Sequence, residues 1–295
     1  MKQQALFRGI ATALATPMTQ TGAIDYDAYG RLIDWQIDSG IDALVACGTT
    51  GEAATMSYDE HKETIAYAVK RVNGRVPLIA GTGTNCTEKA IELTRFACNA
   101  GADGCLVVTP YYNKATQNGL VAHYTAIADA SSVPVILYNV PGRTGCNLLP
   151  ETCSRLAEHP RIVAVKEACG NISQIVSLFE KAGDTLDVYS GNDDQIVPVL
   201  AMGGEGCISV LSNILPKETM EICRLFFEGD IKGAAKLQCR LLPVVDALFS
   251  EVNPIPVKAA LAKMGYGCDV LRLPLTPMEE GKKKVLFDHM SKWGL

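Results

Sequence analysis

One lysine at the end of an apolar run is the residue of this sequence best suited to covalent chemistry. Residues 162–165 are apolar, Lys166 follows them directly, and Gly170 ends the pattern shortly afterwards. A short apolar run bounded by turn signals predicts an interior strand of a parallel sheet. Because side chains alternate along a strand, Ile162, Ala164 and Lys166 should share one face. Lys166 therefore either caps the strand end or points into a core.

From the sequence alone, two interpretations of Lys166 remain open. In the first, its ammonium group extends to water and has no chemical role, which is the commonest situation for a lysine. In the second, the amine is desolvated and forms a Schiff base with a carbonyl substrate. Burial at the mouth of an apolar barrel favours the neutral amine that this attack requires. The side chains that surround Lys166 decide between the two interpretations.

Other groups that could join such chemistry follow several further apolar segments. They lie in a glycine-flanked turn, in two loops and at two more segment ends: Thr49, Thr50, Tyr111, Tyr112, Tyr138, Arg143, Gly191 and Ile208. The set fits Schiff-base chemistry on a keto acid, since a phenol can move protons while hydroxyls and backbone amides hold a carboxylate. Each member alone could instead belong to an ordinary turn, a core or a surface. Their convergence on one rim would favour the chemical interpretation.

Composition and spacing argue against several other functions. The 27 basic and 32 acidic residues give a net charge of -5 without a basic cluster, so we expect no nucleic-acid partner. The four histidines stand far apart and the 11 cysteines lack Cys-x-x-Cys spacing, which predicts no metal site and reduced core thiols. No apolar run approaches the roughly 18 residues of a membrane span, and the N-terminus lacks a signal peptide. We therefore expect a cytoplasmic protein.

The predicted elements repeat at an interval typical of βα units. Apolar segments begin roughly 20 to 35 residues apart, and amphipathic helical stripes fill most of the gaps. The segments are 9–17, 43–47, 78–80, 105–109, 135–138, 162–166, 186–189 and 207–210. Their alternation with helices predicts an α/β fold, a (β/α)8 TIM barrel, with a doubly wound open sheet as the alternative. In a barrel, the candidate residues above would lie on the rim at the C-terminal strand ends.

The last part of the chain exceeds what eight such units need. Past Pro216 the strand signal stops and helical stripes continue to the C-terminus. We predict a barrel over residues 1–229 and a C-terminal helical region over residues 230–295. That region would pack on the barrel or on a neighbouring subunit.

Three motifs, spaced along the chain in this order, resemble the signatures of a known family. They are Gly-Thr-Thr-Gly-Glu at 48–52, Tyr-Asn-Val-Pro-Gly-Arg-Thr-Gly at 138–145 and Val-Lys-Glu-Ala at 165–168. They resemble the pyruvate-dependent class I aldolases that include the N-acetylneuraminate lyases. More narrowly, they resemble the dihydrodipicolinate synthase family, also called 4-hydroxy-tetrahydrodipicolinate synthases. The resemblance spans nearly the whole chain.

The resemblance implies a reaction and a set of catalytic residues. The family condenses pyruvate with L-aspartate 4-semialdehyde to 4-hydroxy-tetrahydrodipicolinate, the committed step of the diaminopimelate and lysine pathway. It uses a covalent imine between pyruvate and the residue matching Lys166, with no other cofactor. Tyr138 would be the general acid and base, and Thr49 and Tyr112 would complete a proton relay. The family is commonly a homotetramer, a dimer of dimers, in which Tyr112 would reach in from a neighbouring subunit.

The resemblance also implies substrate-binding residues and one alternative within the superfamily. Thr50 would hold the pyruvate carboxylate with the backbone at Gly191 and Ile208, and Arg143 would hold the carboxylate of the aldehyde. N-acetylneuraminate lyases share the threonine turn, the tyrosine and the lysine but differ in the loop that carries Arg143. That loop favours the synthase over a sugar-acid lyase or another pyruvate-dependent aldolase. A silent relative used as a binding module has less support, because every matched catalytic position is present.

Regulation by lysine is a separate expectation. In inhibited members of the family, a site at the dimer interface includes the positions that match Ala53, Ala54, Tyr58, His61, Asn85, Lys89 and Tyr111. Three of these keep the expected type, but Tyr58 stands where a histidine is common. Lys89 stands where a glutamate usually meets the amine of the ligand, so it would repel a cation. The sequence therefore predicts weak or absent inhibition by lysine.

Overall fold

Eight parallel strands form a closed barrel in the computed structural model, which describes residues 5–295. Each strand pairs with its sequence neighbours, and the first closes the barrel against the last. The strands are β1 (Gly9–Ala13), β2 (Ala43–Ala46), β3 (Leu78–Gly81), β4 (Gly104–Val108), β5 (Val135–Asn139), β6 (Ile162–Glu167), β7 (Asp187–Ser190) and β8 (Gly206–Ser209). The predicted fold class is confirmed, and the doubly wound alternative is wrong.

Helices fill the connections between the strands and continue after β8. They are α1 (Tyr26–Asp38), α2 (Tyr58–Val72), α3 (Thr87–Ala100), α4 (Gln117–Asp129), α5 (Pro141–Thr144), α6 (Pro150–Leu156), α7 (Ile172–Ala182), α8 (Ile196–Ala201), α9 (Pro216–Phe227), α10 (Ile231–Leu248), α11 (Ile255–Lys263) and α12 (Glu280–Ser291). In the described part of the chain, no helix is long and apolar enough to cross a membrane. After α9, α10 packs against α8, α9 and α12. The boundary between a barrel at 1–229 and a helical region at 230–295 stays a prediction.

Two apolar layers follow from the alternation of side chains along the strands. One side of each strand points into the barrel, and the other packs against the helices. The inner layer consists of Phe7, Ala11, Ala13, Ala43, Val45, Ile79, Leu106, Ile136, Tyr138, Val140, Ala164, Tyr189 and Ile208. Side chains of this layer therefore fill the barrel interior below the rim at the C-terminal strand ends.

The alternation predicted for β6 fails at its first residue. Ile162 packs in the outer layer with the helices, whereas Ala164 belongs to the inner layer. The register explains the difference, because Ile136 pairs with Ala164 while the residue before Ile136 pairs with Ile162. Val163 is thus an extra residue, and this bulge reverses the direction of Ile162. The prediction that Ile162 shares a face with Lys166 is wrong.

The first strand is also shorter than the predicted segment 9–17. Leu14 still donates from its backbone to the Val45 carbonyl, at 3.0 Å. The next backbone N–H, that of Ala15, donates instead to the Asn213 side-chain oxygen at 3.0 Å. Because this side chain takes the place of a neighbouring strand, the chain leaves the sheet before Pro17. The proline therefore does not end the strand.

Candidate active site

The buried amine of Lys166 lies against the ring of Tyr138 at the barrel mouth. The two residues are paired neighbours on β6 and β5, so their side chains leave adjacent strands at the same height. Lys166 is 5% exposed and Tyr138 is 6% exposed. The Lys166 Nζ atom lies 4.4 Å from the centroid of the tyrosine ring. A lysine that merely extends to water would not be enclosed in this way, so the Schiff-base interpretation fits better.

Most of the predicted site residues share one small cavity with this amine. The cavity has a volume of about 50 Å³. Its lining includes Lys166, Tyr138, Thr49, Thr50, Arg143, Gly191, Asn192, Phe249 and Asn253. A wider cavity of about 290 Å³ lies beside it and shares Thr49, Tyr138 and Arg143 with it. Candidate residues at the ends of β2, β5, β6 and β7, or just after them, therefore converge on one rim.

Gly191 is required beside the amine for a steric reason. A Cβ atom at this position would lie 3.0 Å from the Lys166 Cε and 2.6 Å from the Ala168 Cβ, so a side chain would displace the lysine. The Gly191 N–H donates to the Glu167 carbonyl at 2.7 Å. Since that donor is already used, the Gly191 N–H is not available for the pyruvate carboxylate that the resemblance assigned to it, and the Gly191 carbonyl can only accept from a donor. Ile208 is fully buried in the inner layer and is outside both cavity linings, so only its backbone could contribute.

The Gly-Thr-Thr-Gly-Glu motif forms a tight turn that presents its two threonines to the cavity. The N–H groups of Gly51 and Glu52 donate to the carbonyls of Gly48 and Thr49, both at 3.1 Å. Glu52 adopts a left-handed conformation with φ of +56°. Its buried carboxylate forms an ion pair with the buried ammonium group of Lys258 on α11. This ion pair thus attaches the turn to the C-terminal region.

Two groups from the C-terminal region reach this site without having been predicted. Lys258 pairs with Glu52, and the Asn253 side-chain amide donates to the Thr50 hydroxyl at 2.9 Å. Lys258 interrupts an apolar helix, which is the same signal that drew attention to Lys166. Asn253 carries no comparable signal, because an asparagine before a proline is typical of any turn.

A buried carboxylate, that of Asp193, fixes the chain near Lys166. Asp193 accepts hydrogen bonds from the Ser209 hydroxyl at 2.5 Å and from the backbone N–H groups of Val210 at 3.1 Å and Leu211 at 3.0 Å. Burial raises the pKa of the Asp193 carboxyl, and these hydrogen bonds and the charge of Lys166 oppose that rise. The carboxylate fixes the chain just after β8.

A comparison with protein families matches nearly the whole chain. The family described as the dihydrodipicolinate synthetase family matches residues 6–292. The chain belongs to that family. It is 53% identical over 292 residues to the 4-hydroxy-tetrahydrodipicolinate synthase of Lachnoclostridium phytofermentans, and the match covers 99% of each chain. The family predicted from the three motifs is confirmed.

Solved structures of dihydrodipicolinate synthases have the same fold. The chloride-inhibited enzyme from Acinetobacter baumannii, complexed with pyruvate, matches with a TM-score of 0.95 and 44% identity, covering 97% of this chain and 99% of that chain. The enzyme from Cyanidioschyzon merolae with lysine bound matches with a TM-score of 0.96 and 40% identity, covering 99% of this chain and 100% of that chain. At this identity, a synthase is a better description of the chain than a sugar-acid lyase.

Tyr112, the fourth catalytic residue that the family resemblance implied, lies apart from the others in a single chain. Its side chain is 90% exposed and it lines neither cavity. Its backbone has a φ of +72°, and its N–H donates to the Thr144 carbonyl at 3.3 Å. The loop therefore projects the phenol outward, away from the cavity that contains Lys166.

The residues predicted for a lysine site divide into two groups. Ala53, Ala54, His61 and Tyr111 line the wider cavity. Outside its lining, the Tyr58 hydroxyl donates to Glu92 at 2.6 Å, the Asn85 carbonyl accepts from the Asn113 side chain at 3.0 Å, and Lys89 is exposed on α3. His61 has its Nε2 atom 2.8 Å from the Gly81 carbonyl, and burial lowers the pKa of its ring. The cavity wall is therefore neutral on the His61 side.

Proposed function

We propose that this chain condenses pyruvate with L-aspartate 4-semialdehyde to give 4-hydroxy-tetrahydrodipicolinate. The observation that carries the proposal is the enclosed amine of Lys166 packed on Tyr138, in a cavity that also contains Thr49, Thr50 and Arg143. An amine supplies the covalent attachment, and the hydroxyls and the guanidinium group supply partners for two carboxylates. The names of the relatives support the same reaction.

The reaction begins when the neutral Lys166 amine adds to the keto carbon of pyruvate and water leaves, which gives the imine. Loss of a methyl proton then forms an enamine, whose carbon attacks the aldehyde carbon of the second substrate. The amino group of that substrate attacks the imine carbon, closes the ring and releases Lys166. Tyr138 moves protons at this centre, since its ring packs against the amine, and Thr49 extends the relay. The imine replaces any separate cofactor.

A trapping experiment tests this proposal. We expect borohydride to reduce the imine formed with pyruvate, so that the intact mass rises by pyruvate minus water plus two hydrogens and peptide mapping places the addition on Lys166. Purified protein should then consume pyruvate when L-aspartate 4-semialdehyde is supplied and not when N-acetylmannosamine is supplied. An absent adduct would remove the mechanism. Consumption of pyruvate with N-acetylmannosamine alone would instead indicate an N-acetylneuraminate lyase.

Arg143 should affect the second substrate alone. We expect Arg143→Lys to raise the KM for the aldehyde about 10- to 100-fold, because a charge-assisted hydrogen bond contributes about 1.5–3 kcal/mol and lysine cannot form the bidentate pair. Steady-state kinetics with each substrate varied in turn measure the effect. The pyruvate dependence of borohydride trapping serves as the internal control and should not change. An unaltered KM for the aldehyde would show that another group binds its carboxylate.

Tyr112 would act in the active site of a partner subunit within a homotetramer, the assembly that we propose. We expect Tyr112→Phe and Lys166→Ala to be nearly inactive when made separately. Co-expression of the two variants with different tags should restore activity in the purified hetero-oligomer, because one of its sites then combines an intact lysine with an intact tyrosine. If the hetero-oligomer stays inactive, the tyrosine does not act across the interface. Sedimentation of the wild type gives the oligomeric state.

Inhibition by lysine should be weak because Lys89 is a cation on the exposed surface of α3. We expect about 1 mM lysine to remove less than half of the wild-type activity, because stronger inhibition would require a dissociation constant below about 1 mM. Lys89→Glu should strengthen inhibition, whereas Lys232→Glu, an equal charge change on α10, should not. Strong inhibition of the wild type would contradict the prediction.

The cytoplasm is the compartment that we propose for this activity. All 11 cysteines carry free thiols, and Cys47, Cys105 and Cys207 are buried. Unpaired thiols in this number are typical of a reducing compartment. A fluorescent fusion or fractionation of the source cells would test the assignment.

A further inference from the structure

Asn253 is the residue of the C-terminal region that reaches furthest into the site. It lies just before α11, is 4% exposed, and lines the same cavity as Lys166. Its side-chain nitrogen donates to the hydroxyl oxygen of Thr50 at 2.9 Å. Thr50 itself is 3% exposed. The contact is therefore shielded from water on both sides, and it joins parts of the chain that are 203 residues apart.

The direction of this hydrogen bond decides what the Thr50 hydroxyl can do. A hydroxyl has one proton to donate and accepts through its lone pairs. Because the Asn253 amide occupies a lone pair of the Thr50 oxygen, the hydroxyl proton is free to point elsewhere. A carboxylate only accepts hydrogen bonds, so it is the partner that such a donor suits best.

We propose that Asn253 is a positioning residue that turns the Thr50 hydroxyl toward the carboxylate of the keto acid. The inference rests on the proposed function, since it assigns a carboxylate to Thr50. Asn253 acts through Thr50 and itself takes no part in proton transfer. It raises the affinity for the keto acid by fixing the donor before the substrate binds, which lowers the ordering cost of binding.

The backbone of Asn253 serves the second carboxylate site as well. Its carbonyl oxygen accepts from the Arg143 guanidinium group at 3.4 Å. Asn253 thus contacts both groups that we assign to carboxylates, Thr50 through its side chain and Arg143 through its main chain. Substitution of the side chain leaves the second contact in place, so the two effects can be separated.

The other half of the Asn253 amide argues against a purely structural role. Its Oδ1 atom is buried, and within residues 5–295 it has no hydrogen-bond partner. A buried carbonyl without a partner destabilises a folded protein. Within the described residues, the side chain makes only the hydrogen bond to Thr50, so its contribution to stability is small. Removal of the amide should therefore not lower the melting temperature.

The test uses three variants of the full chain and two readouts. We expect Asn253→Ala to raise the pyruvate concentration that half-saturates borohydride trapping about tenfold, the size of one hydrogen bond to a charged group. The KM for the aldehyde and the melting temperature should stay near the wild-type values. Asn253→Asp should be worse than alanine, because the new carboxylate accepts the Thr50 proton and repels the substrate. Val252→Ala, at an exposed neighbouring position, is the matched control.

A double-mutant comparison separates this role from a general effect on the site. In a Thr50→Val background, Asn253→Ala should cause no further loss of pyruvate affinity, because its partner is already absent. Equal losses in both backgrounds would overturn the inference, as would an unchanged pyruvate dependence for Asn253→Ala alone. Failure of the wild type to form any adduct is a different result, which removes the proposed function instead.

Discussion

Replacement of Lys166 by alanine is expected to abolish the borohydride-trapped pyruvyl adduct and to lower kcat by a factor of about 10⁴ or more, the scale of losing a nucleophile. The reason is that, in the proposed mechanism, the Lys166 amine forms the only covalent bond between enzyme and keto acid. The neighbouring Tyr138 can move protons but cannot form an imine. Intact-protein mass and the rate of pyruvate consumption measure the two effects.

A control is needed because a buried lysine also affects folding. Lys70→Ala removes an exposed amine on α2 and should leave both adduct and rate unchanged. The melting temperature of Lys166→Ala should not fall by more than a few degrees, because the variant loses packing but also the cost of burying an amine. An adduct on Lys166→Ala would show that pyruvate attaches to another lysine. In that event the site would need to be assigned again.

The sequence predicted the fold well because a barrel repeats one local rule. Each strand is an apolar run followed by a turn, so its existence follows from neighbouring residues alone. The failures lie where a distant group intervenes. The Asn213 side chain accepts a hydrogen bond from the Ala15 N–H and so shortens β1. The extra residue Val163 turns the Ile162 side chain to the opposite face of β6. Neither effect is visible within a window of about 10 residues, since the first depends on a side chain from the turn after β8 and the second on the register of β6 against β5.

The candidate site likewise contains residues that the local sequence predicts and residues that depend on distant parts of the chain. Lys166 and Tyr138 stand at strand ends and Arg143 lies on α5, directly after β5, so the barrel topology brings them together once the strands are located. Asn253 and Lys258 enter from helices and turns after the barrel, and no spacing rule connects them with the Thr49-Thr50 turn. Their placement depends on how the C-terminal region packs, which only the three-dimensional structure reveals.

Lys258→Met is expected to cause the largest loss of stability among the changes considered. Lys258 is 2% exposed and its partner Glu52 is 3% exposed, so their charges are removed from water together. Burial lowers the pKa of Lys258, and the Glu52 carboxylate opposes that effect. Removal of the ammonium group leaves a buried carboxylate without its partner, which costs about 3–5 kcal/mol. Thermal and urea unfolding measure the loss.

A second substitution, at Glu52, shows whether the stability loss in Lys258→Met comes from an unpaired charge or from lost packing. Glu52→Gln combined with Lys258→Met should recover much of the stability, because no uncompensated charge then remains in the interior. Lys263→Met, at the exposed end of α11, is the matched control and should be nearly neutral. A double variant no more stable than Lys258→Met would show that the methylene packing of Lys258 is what α11 needs. Since Glu52 ends the turn that presents Thr49 and Thr50, the single variant should also bind pyruvate more weakly than the double variant.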